Sequence, residues 1–129
     1  MTESRATYRL PPPLEEDIAR DIDTFLSLEG WLVFAFAEPR THKRLGGVVP
    51  EGWFDRLAIR RQGYAHPEYV HIEYKRPGGR LRPSQRLMKR RLEAEGCICY
   101  VLQSLDEAAA MLRGLGYALR TRVGPAPRH

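Results

Sequence analysis

Glu68-Tyr69-Val70-His71-Ile72-Glu73-Tyr74-Lys75 is the stretch on which the reading of this chain turns. It alternates with period two. That predicts a strand with Val70, Ile72 and Tyr74 on one face and His71, Glu73 and Lys75 on the other. The first set fills a core. The second is a polar row that is costly to bury without partners. Two readings of that row stand side by side. One is the solvated face of an edge strand, with a surface ion pair of little energetic weight. The other is a site whose chemistry needs the charges. Pro77-Gly78-Gly79 ends the strand.

Outward from this strand, the chain divides into alternating elements. Downstream, a helix is expected from about Pro83 to Glu95, stopped by Gly96, then a strand from Cys97 to Leu102. Ser104 and Glu107 have the spacing of a capping box for a last helix reaching about Arg113. Upstream, Trp53 to Ile59 alternates as a strand, and Arg60 to Pro67 reads as a turn. Trp31 to Ala37 is apolar on both faces and is expected as a buried strand. Ahead of it, Ile18, Ile22 and Phe25 recur at helical spacing between Leu14 and Glu29, with Gly30 as the stop. The order α-β-β-β-α-β-α predicts an α/β fold with a mixed central sheet flanked by helices.

Length and composition fit one domain. The chain has 129 residues, with 43% hydrophobic and 29% charged, as an average soluble domain has. The core is expected over about 14–113, with a loosely ordered arm at 1–13 and tail at 114–129. No apolar run is long enough to span a bilayer, and no secretory signal opens the chain. Cys97 and Cys99 share a strand face without a second pair or a nearby His, so they read as structural free thiols. A reducing, cytosolic compartment suits them. The net charge of +5 favours a polyanionic partner.

Three residues bear on the Glu73–Lys75 row. Asp55 follows the bulky Trp53 and Phe54, and strand pairing would bring it toward Glu73. Adjacent carboxylates repel unless a cation lies between them, and a hard divalent ion such as Mg²⁺ takes such oxygen ligands. Glu15 shares the inward face of Ile18 and Ile22, either as a third ligand or as a partner of the helix dipole. Gln85 shares the inward face of Met88 and Leu92 at the start of its helix. Around them, Arg76, Arg80, Arg82, Arg86, Lys89, Arg90 and Arg91 leave the strand with no acid among them. Such a run suits phosphate contacts better than an ordinary solvated helix face. Arg40, His42, Lys43 and Arg44 in the long loop after the first strand are a second candidate contact, or simply a charged loop.

In this order the chain resembles the PD-(D/E)xK nuclease superfamily, and within it the virus-type replication-repair nuclease (VRR-NUC) branch. Gly52-Trp53-Phe54-Asp55 stands in the place of that branch's Gly-x-Pro-Asp motif, with Phe54 where Pro is usual. Glu73 and Lys75 match its Glu-x-Lys, Gln85 its downstream Gln, and Glu15 the acid of its first helix. The resemblance covers about residues 14–113. It implies a restriction-endonuclease-like core and metal-assisted cleavage of DNA phosphodiesters. Asp55, Glu73, the Tyr74 backbone carbonyl and Glu15 would hold Mg²⁺ or Mn²⁺. Lys75 would act as base or electrostatic clamp, and Gln85 would hold Lys75 or the attacking water. The resemblance further implies branched substrates such as junctions or flaps, and a homodimer. A nucleic-acid-binding module without catalysis and a sequence-specific restriction-type enzyme are the competing readings.

Overall fold

Ile18, Ile22, Phe25 and Leu26 repeat at intervals of three and four residues. In the computed structural model they form the buried stripe of helix α1, Glu15–Leu28. The structure describes residues 11, 13–36 and 49–121. After α1 come β1 (Leu32–Ala35), β2 (Arg56–Arg60), β3 (Glu68–Tyr74), α2 (Pro83–Ala94), β4 (Ile98–Leu102) and α3 (Leu105–Gly114). The fold is mixed α/β, and among the described residues it has three helices and a four-stranded mixed sheet. The candidate contacts Arg40, Lys43 and Arg44 lie outside the described residues, as does nearly all of the 1–13 arm.

The sheet runs β1-β2-β3-β4. The first two pairings are antiparallel and β3–β4 is parallel, as expected when α2 returns the chain to a parallel neighbour. Val33, Ala58, Val70 and Ile98 lie in register across one face. That face packs on α1 and α3 and holds the main core. Phe34, Leu57, His71 and Cys99 lie in register across the other. There α2 buries Gln85 and Met88 against the sheet near β4.

Two expectations, and one of the two open readings of β3, need correction. β3 is an interior strand buried over its last five residues, not a solvated edge. β4 is one edge of the sheet among the described residues and β1 is the other. β1 was expected to be buried on both faces, yet Leu32 and Phe34 are 58% and 49% exposed. Only its Val33 face meets a helix layer, because α2 sits at the far side of the sheet. The folded body also runs past the expected boundary at residue 113, as far as Thr121. Tyr117 is buried against Trp31, ring centroids 5.0 Å apart. Beyond it, the buried Glu29 carboxylate accepts the Arg120 and Thr121 N–H groups and the Thr121 hydroxyl, each at 2.7 Å. Burial pushes the Glu29 pKa up, but those donors outweigh it and hold the carboxyl below its usual range.

The Ser104 cap forms as the sequence predicts, its hydroxyl accepting the Glu107 N–H at 3.1 Å. The return contact shifts by one residue. Glu107 accepts the N–H of Gln103, at 2.7 Å, rather than that of Ser104.

Candidate metal centre

Register brings the acids together. Arg56 pairs with Ile72, so the next residues outward, Asp55 and Glu73, stand opposite each other. The Asp55 N–H donates to Glu73 Oε1 at 3.1 Å, and its carbonyl accepts the Phe36 N–H at 3.0 Å. Both acids therefore sit at one end of the sheet on the α2 side. Glu15 joins them from the first turn of α1. One carboxylate oxygen from each of Glu15, Asp55 and Glu73 lies within 4.8 Å of the other two. An all-oxygen donor set of this kind suits a hard divalent cation.

Glu73 is the most constrained member. Its carboxylate is almost fully buried. Besides the Asp55 N–H, it accepts the Gln85 Nε2 amide at 2.8 Å on Oε2. The Lys75 ammonium is 3.3 Å from that same oxygen. A carboxylate offers about four lone-pair sites, so these donors leave one for a cation. Burial, and next the Asp55 charge, push the Glu73 pKa up to about 7 despite Lys75. A carboxyl held up by a neighbouring acid is what a bound cation would relieve.

Gln85 is oriented without ambiguity. Its Oε1 accepts the Arg82 N–H at 3.0 Å, so its amide nitrogen must face Glu73. It holds the Glu73 carboxylate; among its hydrogen bonds there is none to Lys75, one of the two partners that the resemblance implies. Arg82 is the residue just before α2, so Gln85 also ties the helix start to the acid. Lys75 is only 12% exposed at its side chain, and its N–H donates to the Leu102 carbonyl at 3.0 Å.

The Gly52 turn fixes where Asp55 enters. Gly52 has φ +83°, and a Cβ there would sit 2.2 Å from the Ser84 carbonyl oxygen. The turn therefore lies directly on the first turn of α2, an approach open only to glycine. Phe54, where the resembled motif has Pro, is fully buried. Its burial anchors a segment that Pro would otherwise stiffen.

Other side chains divide by face. Tyr74 points away from the acids, and its hydroxyl donates to Asp23 Oδ1 at 2.7 Å. Asp23 also accepts Arg56 Nε and Nη2 at about the same distance, 3.1 Å for the closest contact of each. This Asp23–Arg56–Tyr74 network was not read from the sequence, though an Arg at an inward strand position was its signal. His71 shares the Glu73 face but lies outside the acid cluster. It is buried, with burial lowering its pKa, and packs edge-on to Trp53 at 5.2 Å.

Arg76, Arg80, Arg82, Arg86 and Arg90 are exposed and make no ion pair among the described residues. Lys89 is the exception in the basic run: it pairs with Glu93 at 2.9 Å. Cys97 and Cys99 are half-buried free thiols, and Cys99 is pushed up to about 11, first by burial. No helix among the described residues is long and apolar enough to cross a membrane. Comparisons with protein-family models, curated proteins and solved structures return no match to this chain.

Proposed function

We propose that the chain is a divalent-metal-dependent endonuclease that hydrolyses phosphodiester bonds in DNA, with a restriction-endonuclease-like core. The observation that carries this reading is the Glu15–Asp55–Glu73 cluster within 4.8 Å, with Lys75 at 3.3 Å from Glu73. Three acids converge, with Glu73 buried and Glu15 and Asp55 half-buried. That arrangement is unfavourable for stability alone and serves a cation well.

Glu15, Asp55 and Glu73, with the Tyr74 backbone carbonyl, would hold Mg²⁺ or Mn²⁺. Bound there, the ion supplies Lewis-acid stabilisation of the charge that develops on the phosphoryl oxygens. The chain's own residues do the rest. Gln85 and the Asp55 N–H fix the Glu73 carboxylate in one orientation. Lys75 brings a confined positive charge to the acid cluster, where it aligns the attacking water and stabilises the anionic transition state. The exposed arginines from Arg76 to Arg90 engage phosphates on either side of the scissile bond, so binding weakens steeply with salt.

Branched substrates, junctions or flaps, are the preferred class under this proposal. A second copy of the chain would extend the contacts, and sedimentation velocity at assay concentration reads its presence. The test is a panel of end-labelled flap, splayed, four-way-junction and linear duplex DNA with Mg²⁺ or Mn²⁺. Cleavage stopped by EDTA and lost in Lys75→Ala supports the proposal. Salt-sensitive binding with no cleavage under either metal would make the chain a binding module instead.

A further inference from the structure

Each acid of the cluster stands on a different element: Glu15 in the first turn of α1, Asp55 just before β2 and Glu73 in β3. The two sheet acids are tied to each other by the Asp55 N–H on Glu73, and α2 holds Glu73 through Gln85. Glu15 has no such tie. Its side chain makes no hydrogen bond or ion pair among the described residues, and no side chain caps the start of α1. Where Glu15 sits is therefore decided by where α1 sits.

Ile18, Ile22, Phe25 and Leu26 hold α1 on the sheet by burial. Apolar burial is strong but non-directional, so it resists lifting of the helix better than turning or sliding. The directional contact is Asp23, the one α1 side chain bonded to the sheet among the described residues. Its carboxylate accepts the Tyr74 hydroxyl at 2.7 Å and the Arg56 guanidinium at 3.1 Å. Period two explains the choice of these two. Arg56 follows Asp55 and Tyr74 follows Glu73, so the neighbours of the acids point to the α1 side while the acids point to the α2 side. Arg56 also donates from Nη1 to the Asp55 carbonyl at 3.3 Å. Asp23 thus grips the residues next to both sheet acids. Eight residues separate it from Glu15, about 12 Å along one helix, so a turn or slide of α1 at Asp23 carries to Glu15.

We infer that Asp23 is a positioning residue of the metal centre: by gripping Arg56 and Tyr74 it sets the angle and height of α1 at which Glu15 meets Asp55 and Glu73. That role rests on the divalent-metal reading of the cluster. It adds that the site is assembled from the opposite face of the sheet.

The test is a double-mutant cycle of Asp23 and Glu15, read as Mn²⁺ uptake at pH 8 from the electron paramagnetic resonance of the free ion. Asp23→Ala should weaken uptake about 10-fold or more, the scale of losing a partner behind a ligand. Glu15→Gln weakens uptake by itself. In that background Asp23→Ala should change it by less than about twofold, because the ligand it places is gone. General loosening of the fold would weaken uptake equally in both backgrounds. Asp23→Leu combined with Arg56→Met keeps the net charge and leaves no unpaired guanidinium, and it should behave as Asp23→Ala does. Urea denaturation shows which variants are folded under the assay conditions. If either folded Asp23 variant takes up Mn²⁺ as wild type does, or is weakened equally with and without Glu15, the inference is overturned and the metal reading stands. A wild type that takes up no Mn²⁺ overturns both.

Discussion

Glu73→Gln separates a charge kept for chemistry from one kept for stability. The Glu73 pKa stands at about 7 in the folded protein against an ordinary 4.5. At pH 8 the ionised carboxylate therefore costs the metal-free fold about 3 kcal/mol. The sign follows from proton counting. Between pH 4.5 and 7 the folded state holds the proton and the unfolded state has lost it. Stability thus falls as pH rises through that window and is flat above it. Glutamine removes the titration. Its carbonyl still accepts the Asp55 N–H, but its amide nitrogen faces the Gln85 amide and Lys75, and losing those two contacts costs about 1–2 kcal/mol. The variant should thus be about 1–2 kcal/mol more stable than wild type at pH 8 and slightly less stable at pH 5. Urea denaturation in EDTA, followed by tryptophan fluorescence at pH 5, 6, 7 and 8, reads this crossing. Other titrating groups occur in both proteins and largely cancel in the difference. A stability difference independent of pH, or a variant weakest at pH 8, would refute the reasoning. With excess Mg²⁺ the order should reverse, because only wild type gains binding energy.

The remaining predictions concern the scaffold and the lysine. Gly52→Ala should lose more than about 2 kcal/mol in urea, since left-handed strain of ~1–2 kcal/mol adds to displacement of the Ser84 carbonyl 2.2 Å away. Gly63→Ala, at φ +55° with open space around it, should show the strain alone, about 1–2 kcal/mol. Asp23→Ala strips Arg56 and Tyr74 of their shared acceptor and should cost about 3 kcal/mol in the same assay. Glu29 stabilises the fold while ionised, so that contribution is lost as pH falls below the ordinary carboxylate value. Glu29→Gln should flatten the acid limb of wild type's stability–pH curve. Lys75→Ala should retain Mn²⁺ binding while cutting the cleavage rate by at least about 100-fold.

Much of the architecture was legible because its signals are local. The 3.6-residue repeat of Ile18, Ile22 and Phe25 reports burial directly, and the alternation from Glu68 to Lys75 reports a strand with two chemically distinct faces, although both are buried. The Ser104 cap declares itself through two residues. The acid cluster was legible for a further reason: Asp55 and Glu73 occupy strand positions where an unpaired acid is costly, and the strand register joins them. What sequence did not convey is which surface each apolar run meets. Leu32 and Phe34 look like core residues, yet α2 stops short of them. The Glu29 clamp joins residues 91 and 92 positions apart, and no local pattern encodes that. Its one trace was an acid at a helix C-terminus, where the dipole disfavours negative charge. Gln85 was placed on the right helix face, but its contact with the Glu73 carboxylate was not foreseen, because spacing fixes the face of a helix and not the direction of its amide.

The central claim is that Glu15, Asp55 and Glu73 hold a divalent cation. Titration of Mn²⁺ into the protein at pH 8, with free ion counted by its electron paramagnetic resonance signal, tests it most directly. Wild type should take up Mn²⁺ saturably, and Asp55→Asn and Glu73→Gln should each weaken uptake by at least about tenfold, the scale of losing one ligand charge. Uptake by the two variants equal to that of wild type would contradict the claim.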